Sequence, residues 1–135
     1  MKILFICKHN RFRSKVAEAL FKKYDKKKNE AKSAGMTLDL SRPYICENVQ
    51  KTLKKKGIKK VDEQACKLKD YDLKWADKII VVSDNIPRHA FPKEIIKKIE
   101  FWDVEDADEC EKEKINEIVD NIEKRVRRLG EDIYN

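Results

Sequence analysis

Glycine and proline are scarce, with three of each among 135 residues. So few leave no room for a flexible linker, a low-complexity tract or an internal repeat, and the chain reads as one domain with one substantial core. Long apolar runs are also missing. No segment approaches the roughly 20 residues that a membrane-spanning helix needs. The apolar run near the start is too short for a secretory signal and is followed by charge, so a cytoplasmic protein without membrane contact is expected. Cys7, Cys46, Cys66 and Cys110 form no Cys-x-x-Cys and no regular pairing, which points to free thiols rather than a disulfide framework. Cys7 and His9 have no second ligand pair at metal spacing, so neither a metal nor another cofactor is expected.

What the chain has in abundance is charge: 42% of its residues are charged, and the formal net charge is +7. The lysines cluster at Lys26 to Lys28, Lys54 to Lys56, and Lys59 with Lys60, without interleaved aromatic residues. That pattern fits a solvated basic surface, and nucleic acid is not an expected partner.

The most informative stretch is Met1 to Tyr24. Ile3-Leu4-Phe5-Ile6 is a continuous apolar run, as in a strand buried on both faces, and Cys7 follows at its carboxyl end. From Ser14 on, Val16, Ala17, Leu20, Phe21 and Tyr24 recur at helical spacing. Strand, polar loop and helix together make an anion-binding unit, because the helix start aims free N–H groups and a partial positive charge at the loop. A thiol in that setting acts as a thiolate nucleophile. Arg13 offers a planar fork for two phosphoryl oxygens. Ser14 can either cap the helix or give its hydroxyl hydrogen to the sulfur, and His9 is read as shaping the loop rather than as a base.

The run Cys7-Lys8-His9-Asn10-Arg11-Phe12-Arg13-Ser14, between that strand and a helix containing Ala17-Glu18-Ala19, resembles the signature of the low-molecular-weight protein tyrosine phosphatases. The thioredoxin-coupled arsenate reductases share the same fold and loop. The resemblance implies an α/β fold: a four-stranded parallel sheet flanked by helices on both faces, in flavodoxin-like winding. It also implies that Lys8 to Ser14 form a phosphate-binding loop, with Asn10 shaping it and Ser14 assisting the Cys7 thiolate. The implied activity is hydrolysis of phosphomonoesters, phosphotyrosine in proteins above all, through a cysteinyl-phosphate intermediate. The partners are then a phosphorylated protein or a small phosphomonoester, with inorganic phosphate or sulfate able to occupy the loop. Arsenate reduction at Cys7 and a catalytically weak phosphate-binding module are the alternatives.

Further along, Glu30 to Ala34 is a candidate strand leading to Ser33-Ala34-Gly35, which the family places beside the phosphate loop. Leu38 to Cys46 reads as an irregular loop near the pocket, and Asn48 to Lys56 as a helix stopped by Gly57. Val61 to Leu68 is ambiguous. A short helix is expected around Leu73 to Ala76, then a buried strand over Lys78 to Val82. Phe91 to Ile99 is predicted helical from Pro92, followed by a strand from Ile99 to Trp102. The last helix shows an apolar stripe of Ile115, Ile118, Val119, Ile122, Val126 and Leu129, acidic residues at its start, basic residues at its end, and Gly130 as its stop. Alternating strands and helices place Cys7, Ser33, Asp84 and the segment after Trp102 on one rim, at the carboxyl ends of parallel strands.

A phosphoryl group leaving an ester needs a proton for the departing oxygen, which a carboxylic acid on that rim can supply. Laid on the family's Asp-Pro pattern, Asp106 takes the acid position and Ala107 stands where proline is usual; the register favours Asp106 over its competitor Asp103. Asp108 replaces an aromatic that lines the phosphotyrosine slot, and Tyr44 or Trp102 is the candidate substitute wall. Phe12 stands where many phosphatases have a second loop cysteine, so a vicinal disulfide with Cys7 is excluded. Arsenate reductases of this fold carry their partner cysteines after the third strand, where this chain has Ser83-Asp84-Asn85. Cys46, Cys66 and Cys110 are accordingly expected to be structural or incidental.

Overall fold

The computed structural model describes residues 1–134. It contains strands β1 (Lys2–Cys7), β2 (Glu30–Gly35), β3 (Lys78–Val82) and β4 (Ile99–Trp102). The helices are α1 (Arg13–Tyr24), α2 (Glu47–Lys55), α3 (Asp70–Trp75), α4 (Lys93–Ile96) and α5 (Lys112–Tyr134), with a 3-10 turn at Arg88–Ala90. The strands form one sheet in the order β2-β1-β3-β4, parallel throughout. This is the four-stranded, flavodoxin-like arrangement that the resemblance implied.

The sheet's two faces explain the continuous apolar runs. Along β1, Ile3 and Phe5 point into one core with α1, α2 and α5, while Leu4 and Ile6 point into a second core beside α3. All four are fully buried, and each contributes about 1.5–3 kcal/mol by leaving water. Strand β3 repeats the pattern, with Ile80 and Val82 in the first core and Ile79 and Val81 in the second. Helix α5 lays its predicted stripe of Ile115, Ile118, Val119, Ile122, Val126 and Leu129 against α1 and α2. Phe5 anchors the first core through tilted ring contacts with Phe21 at 5.9 Å and Trp102 at 6.2 Å.

Three local expectations are corrected. The helix predicted over Phe91 to Ile99 shrinks to Lys93–Ile96, because Phe91 is buried in extended backbone and Ile99 joins β4 opposite Ile79. Gly130 does not stop the last helix, which runs through it to Tyr134; one glycine inside a helix costs only about 1 kcal/mol. The basic residues around Lys124 to Arg128 therefore lie before the last turn, and Arg127 stacks on Tyr24 of α1 instead, 4.5 Å from its ring centre. The short helix expected around Leu73 to Ala76 starts three residues earlier, at Asp70; elsewhere the strand and helix boundaries hold within a residue or two, and Gly57, at φ +86°, ends α2 as expected. Residues 61–68 form no helix or regular strand, but isolated bridges pair Gly35 with Lys67 and Tyr44 with Gln64.

Candidate active site

Cys7 is the last residue of β1, and the chain turns through Lys8 to Phe12 before α1 begins at Arg13. Asn10, at φ +55°, makes that turn possible; it takes up the left-handed backbone that asparagine tolerates better than most residues. Its fully buried side chain uses every polar atom. Nδ2 donates to Ser14 Oγ at 2.7 Å and to Ser33 Oγ at 3.0 Å, while Oδ1 accepts the Cys66 backbone N–H at 2.9 Å. Ser33 passes its own hydrogen to Glu18 Oε1 at 2.5 Å.

This wiring gives the hydroxyls a direction. Ser14 Oγ already accepts from Asn10, so its hydrogen is left for Cys7 Sγ, 3.0 Å away. Of the two roles open to Ser14, the structure therefore selects the bond to sulfur. Helix α1 has no side-chain cap, and Phe12 holds the cap position with its ring buried in the first core. Among the described residues, none accepts a hydrogen bond from the backbone N–H groups of His9 to Arg13. Those donors, beside a helix start, suit a tetrahedral anion.

Gly35 ends β2 directly against the loop. A Cβ there would lie 2.8 Å from the His9 carbonyl carbon and 2.9 Å from the Asn10 nitrogen, so only glycine fits. The family's Ser-Ala-Gly thus has a physical reason here: Ser33 receives Asn10, and Gly35 lets the strand approach.

Arg13 is almost fully buried, and its Nη1 donates to Ser83 Oγ at 3.0 Å and to the Val104 carbonyl at 2.9 Å. These partners follow β3 and β4, so three strand ends hold one guanidinium relative to the sulfur. Asp84 Oδ1 and Asp106 Oδ2 each lie 3.6 Å from it.

Cys7, Arg13 and Asp106 line one cleft of about 130 Å³. His9, Arg11, Phe12, Arg42, Cys46 and the segment Ala107 to Glu109 contribute to its walls. Lys8 is exposed and points elsewhere, holding the loop through its backbone carbonyl, which accepts the Thr37 N–H at 3.0 Å. His9 Nδ1 lies 3.3 Å from the Thr37 carbonyl, in keeping with a role in loop shape. Asp103 is not among the lining residues, whereas Asp106 is.

Two expectations about the walls are corrected. Trp102 is packed in the core against Phe5, and Tyr44, although exposed, lies outside the cleft; neither substitutes for the missing aromatic. Cys46 is buried at the N-cap position of α2, without a side-chain cap bond, and lines the same cleft as Cys7. Cys66 lies behind the loop, where its backbone grips Asn10 and Gly35, and Cys110 is exposed.

The mouth holds charged residues that sequence spacing did not single out. Glu109 pairs with Arg11 and with Arg42, whose Nη1 lies 3.0 Å from it; Arg42 also pairs with Asp39 at 3.0 Å. The Arg11 hydrogen bond, aided by both guanidinium charges, holds the Glu109 carboxyl below the usual range. The Ser41 hydroxyl, with Arg42, lowers Asp39 to about 2. These residues are far apart in sequence and meet only because the loops share a rim.

Among the described residues, no helix is long and apolar enough to cross a membrane, and no cluster of His, Cys, Asp or Glu suits a metal ion.

Comparison with curated protein sequences finds no match. Solved structures are similar over the whole fold. A low molecular weight protein tyrosine phosphatase from T. tengcongensis is 28% identical with a TM-score of 0.85, covering 98% of this chain and 99% of that one. An arginine phosphatase from Geobacillus stearothermophilus is 25% identical with a TM-score of 0.83, covering 98% and 92%. An arsenate reductase from Archaeoglobus fulgidus is 27% identical with a TM-score of 0.79, covering 95% and 98%. The match of residues 2–135 to the low molecular weight phosphotyrosine protein phosphatase family model reaches beyond the loop to the sheet and its rim, and the chain belongs to that family.

Proposed function

We propose that the protein hydrolyses phosphomonoesters through a phosphocysteine at Cys7, with Asp106 as general acid and then general base. Cys7 Sγ attacks phosphorus in line with the leaving oxygen. The loop N–H groups and the Arg13 guanidinium hold the three non-bridging oxygens, which gain charge in the transition state. Asp106 gives its proton to the leaving oxygen, so an alcohol departs and the phosphoryl group remains on sulfur. The same carboxylate, now ionised, takes a proton from water as that water attacks phosphorus. Sulfur leaves as thiolate, stabilised by the Ser14 hydroxyl 3.0 Å away. The observation that supports this reading best is the convergence of Cys7, Arg13 and Asp106 on one small cleft.

Phosphotyrosine on a protein is the substrate that the family name suggests. A second substrate, phosphoarginine, a phosphoramidate rather than an ester, is favoured by the cleft's walls: their one phenyl ring is the core residue Phe12, and Asp108 adds a carboxylate to suit a guanidinium leaving group. A solved neighbour is itself an arginine phosphatase. Arsenate reduction gains support from Cys46, which lines the same cleft as Cys7.

The test is turnover of a phosphotyrosine peptide, a phosphoarginine peptide and arsenate with a dithiol reductant, on the wild type, Cys7→Ser and Cys46→Ser. The proposal expects phosphatase turnover that Cys7→Ser abolishes while phosphate binding persists. Arsenate turnover lost in Cys46→Ser, with no phosphatase turnover, would replace it; phosphate binding with neither turnover would leave only a binding module.

A further inference from the structure

The segment carrying Asp106 leaves β4 at Trp102 and does not reach α5 until Lys112. Its start is well fixed. Val104 is 1% exposed, its carbonyl accepts from Arg13, and it also accepts the Asp84 N–H at 3.0 Å.

Beyond Val104 the segment has no proline, no regular structure and little apolar contact with other elements. Asp106 Oδ1 accepts only the next amide, that of Ala107, and the Asp108 N–H bonds Glu111 close by. Glu105 lies 3.8 Å from Lys114, at the start of α5. The Asp106 side chain is 55% exposed, and its distance of 3.6 Å to Arg13 is too long for a hydrogen bond. Among the described residues, the only tie from its carboxyl to the catalytic cradle is that ion pair with Arg13, with no hydrogen bond to fix it.

The ties across the cleft gather instead at Glu109. Its carboxylate pairs with Arg11 of the phosphate loop and with Arg42 of the loop after β2, and its backbone carbonyl accepts from Asn48 Nδ2 on α2. Both arginines are themselves anchored, Arg11 by the Tyr44 carbonyl at 2.9 Å and Arg42 by Asp39. Only Ala107 and Asp108 separate this junction from Asp106, a span too short to let the carboxyl wander while the junction is closed.

We propose that Glu109 is a positioning residue whose ionic latch on Arg11 and Arg42 holds the Asp106 segment over Cys7. The proposal rests on the acid role given to Asp106. Glu109 touches no reacting atom; it sets how often the acid is in place when the leaving oxygen needs its proton. Because the latch is exposed and ionic, salt weakens it.

The test uses kcat/KM, which reports phosphoryl transfer to Cys7, on two esters: phenyl phosphate, whose poor leaving group needs a proton, and 2,4-dinitrophenyl phosphate, whose leaving group does not. Glu109→Ala is expected to slow phenyl phosphate about tenfold, a fraction of the 10²–10⁴ that a general acid contributes. It should leave dinitrophenyl phosphate and inhibition by inorganic phosphate within about twofold. Raising salt should lower the wild type's rate on phenyl phosphate relative to dinitrophenyl phosphate and leave that ratio unaffected in Glu109→Ala. Equal slowing on both esters would mean damage to the phosphate cradle and overturn the proposal, as would no slowing on either. Asp106→Asn is run alongside: if it shows no preference for the good leaving group, the acid assignment fails, and the latch falls with it for that separate reason.

Discussion

Replacing Asn10 is the most exacting perturbation of the loop. Its side chain makes three hydrogen bonds of 2.7, 3.0 and 2.9 Å from a fully buried position, and its backbone sits at φ +55°. At about 1 kcal/mol net per bond, losing all three costs about 3 kcal/mol. Alanine adds about 1 kcal/mol for left-handed backbone, a cost that glycine escapes. Asn10→Ala should therefore lose about 4 kcal/mol, and Asn10→Gly somewhat less, from a total of about 5–15 kcal/mol for a typical domain. For a chain this long, about 3–4 °C in Tm per kcal/mol puts the alanine variant about 12–16 °C lower. The assay is urea unfolding with a thermal scan, and phosphate inhibition reports the loop itself. Losses below about 1 kcal/mol in both variants would refute the assignment of these bonds to loop stability. A glycine variant no better than alanine would refute the backbone part alone.

Further predictions follow from other contacts. Gly35→Ala drives a Cβ to 2.8 Å from the His9 backbone, so overpacking should cost about 1–3 kcal/mol and weaken phosphate inhibition; unchanged inhibition would contradict the close-approach argument. Asp106→Asn should lower kcat/KM for phenyl phosphate by about 10²–10⁴, while Asp103→Asn stays within about threefold; the reverse ranking would hand the acid role to Asp103. Because Asp39 is lower when folded, its hydrogen bonds from Ser41 and Arg42 stabilise the fold above the ordinary value of 3.8 and lose that contribution as pH falls toward about 2. A carboxyl-carbon NMR titration should find its midpoint near the lower figure, and one near 3.8 would show the Ser41 and Arg42 contacts open in solution.

The parts legible in the sequence are those whose chemistry is local. Strands β1 and β3 announce themselves because, after a first lysine, both faces are buried and the side chains run continuously apolar. Cys7, Arg13 and Ser14 sit within eight residues on one strand-loop-helix unit, so their partnership could be read from spacing, whereas the part played by Asn10 came only from the family resemblance. Asp106 required a register taken from the family resemblance. The helix over Phe91 to Ile99 was overpredicted because Phe91, Ile95 and Ile99 fall at helical spacing, yet the sheet needs Ile99 opposite Ile79. Tertiary pairing outweighed local pattern there. The Glu109 junction was illegible for a simpler reason: Arg11, Arg42, Asn48 and Glu109 come from four segments, and a charge-rich sequence gives no sign of which charges meet. The same holds for Cys46, which nothing in the sequence ties to Cys7 until the loop after β2 carries it to the cleft.

The account stands on a covalent bond to one sulfur, and trapping that bond tests it most directly. Wild-type protein turning over phenyl phosphate is quenched rapidly, and the modified residue is located by peptide mass spectrometry. Phosphate should be found on Cys7, its amount rising and falling with turnover, and it should accumulate in Asp106→Asn supplied with 2,4-dinitrophenyl phosphate, whose first step needs no acid while the second is slowed. Turnover without phosphate on Cys7, or at an undiminished rate in Cys7→Ser, would contradict the account.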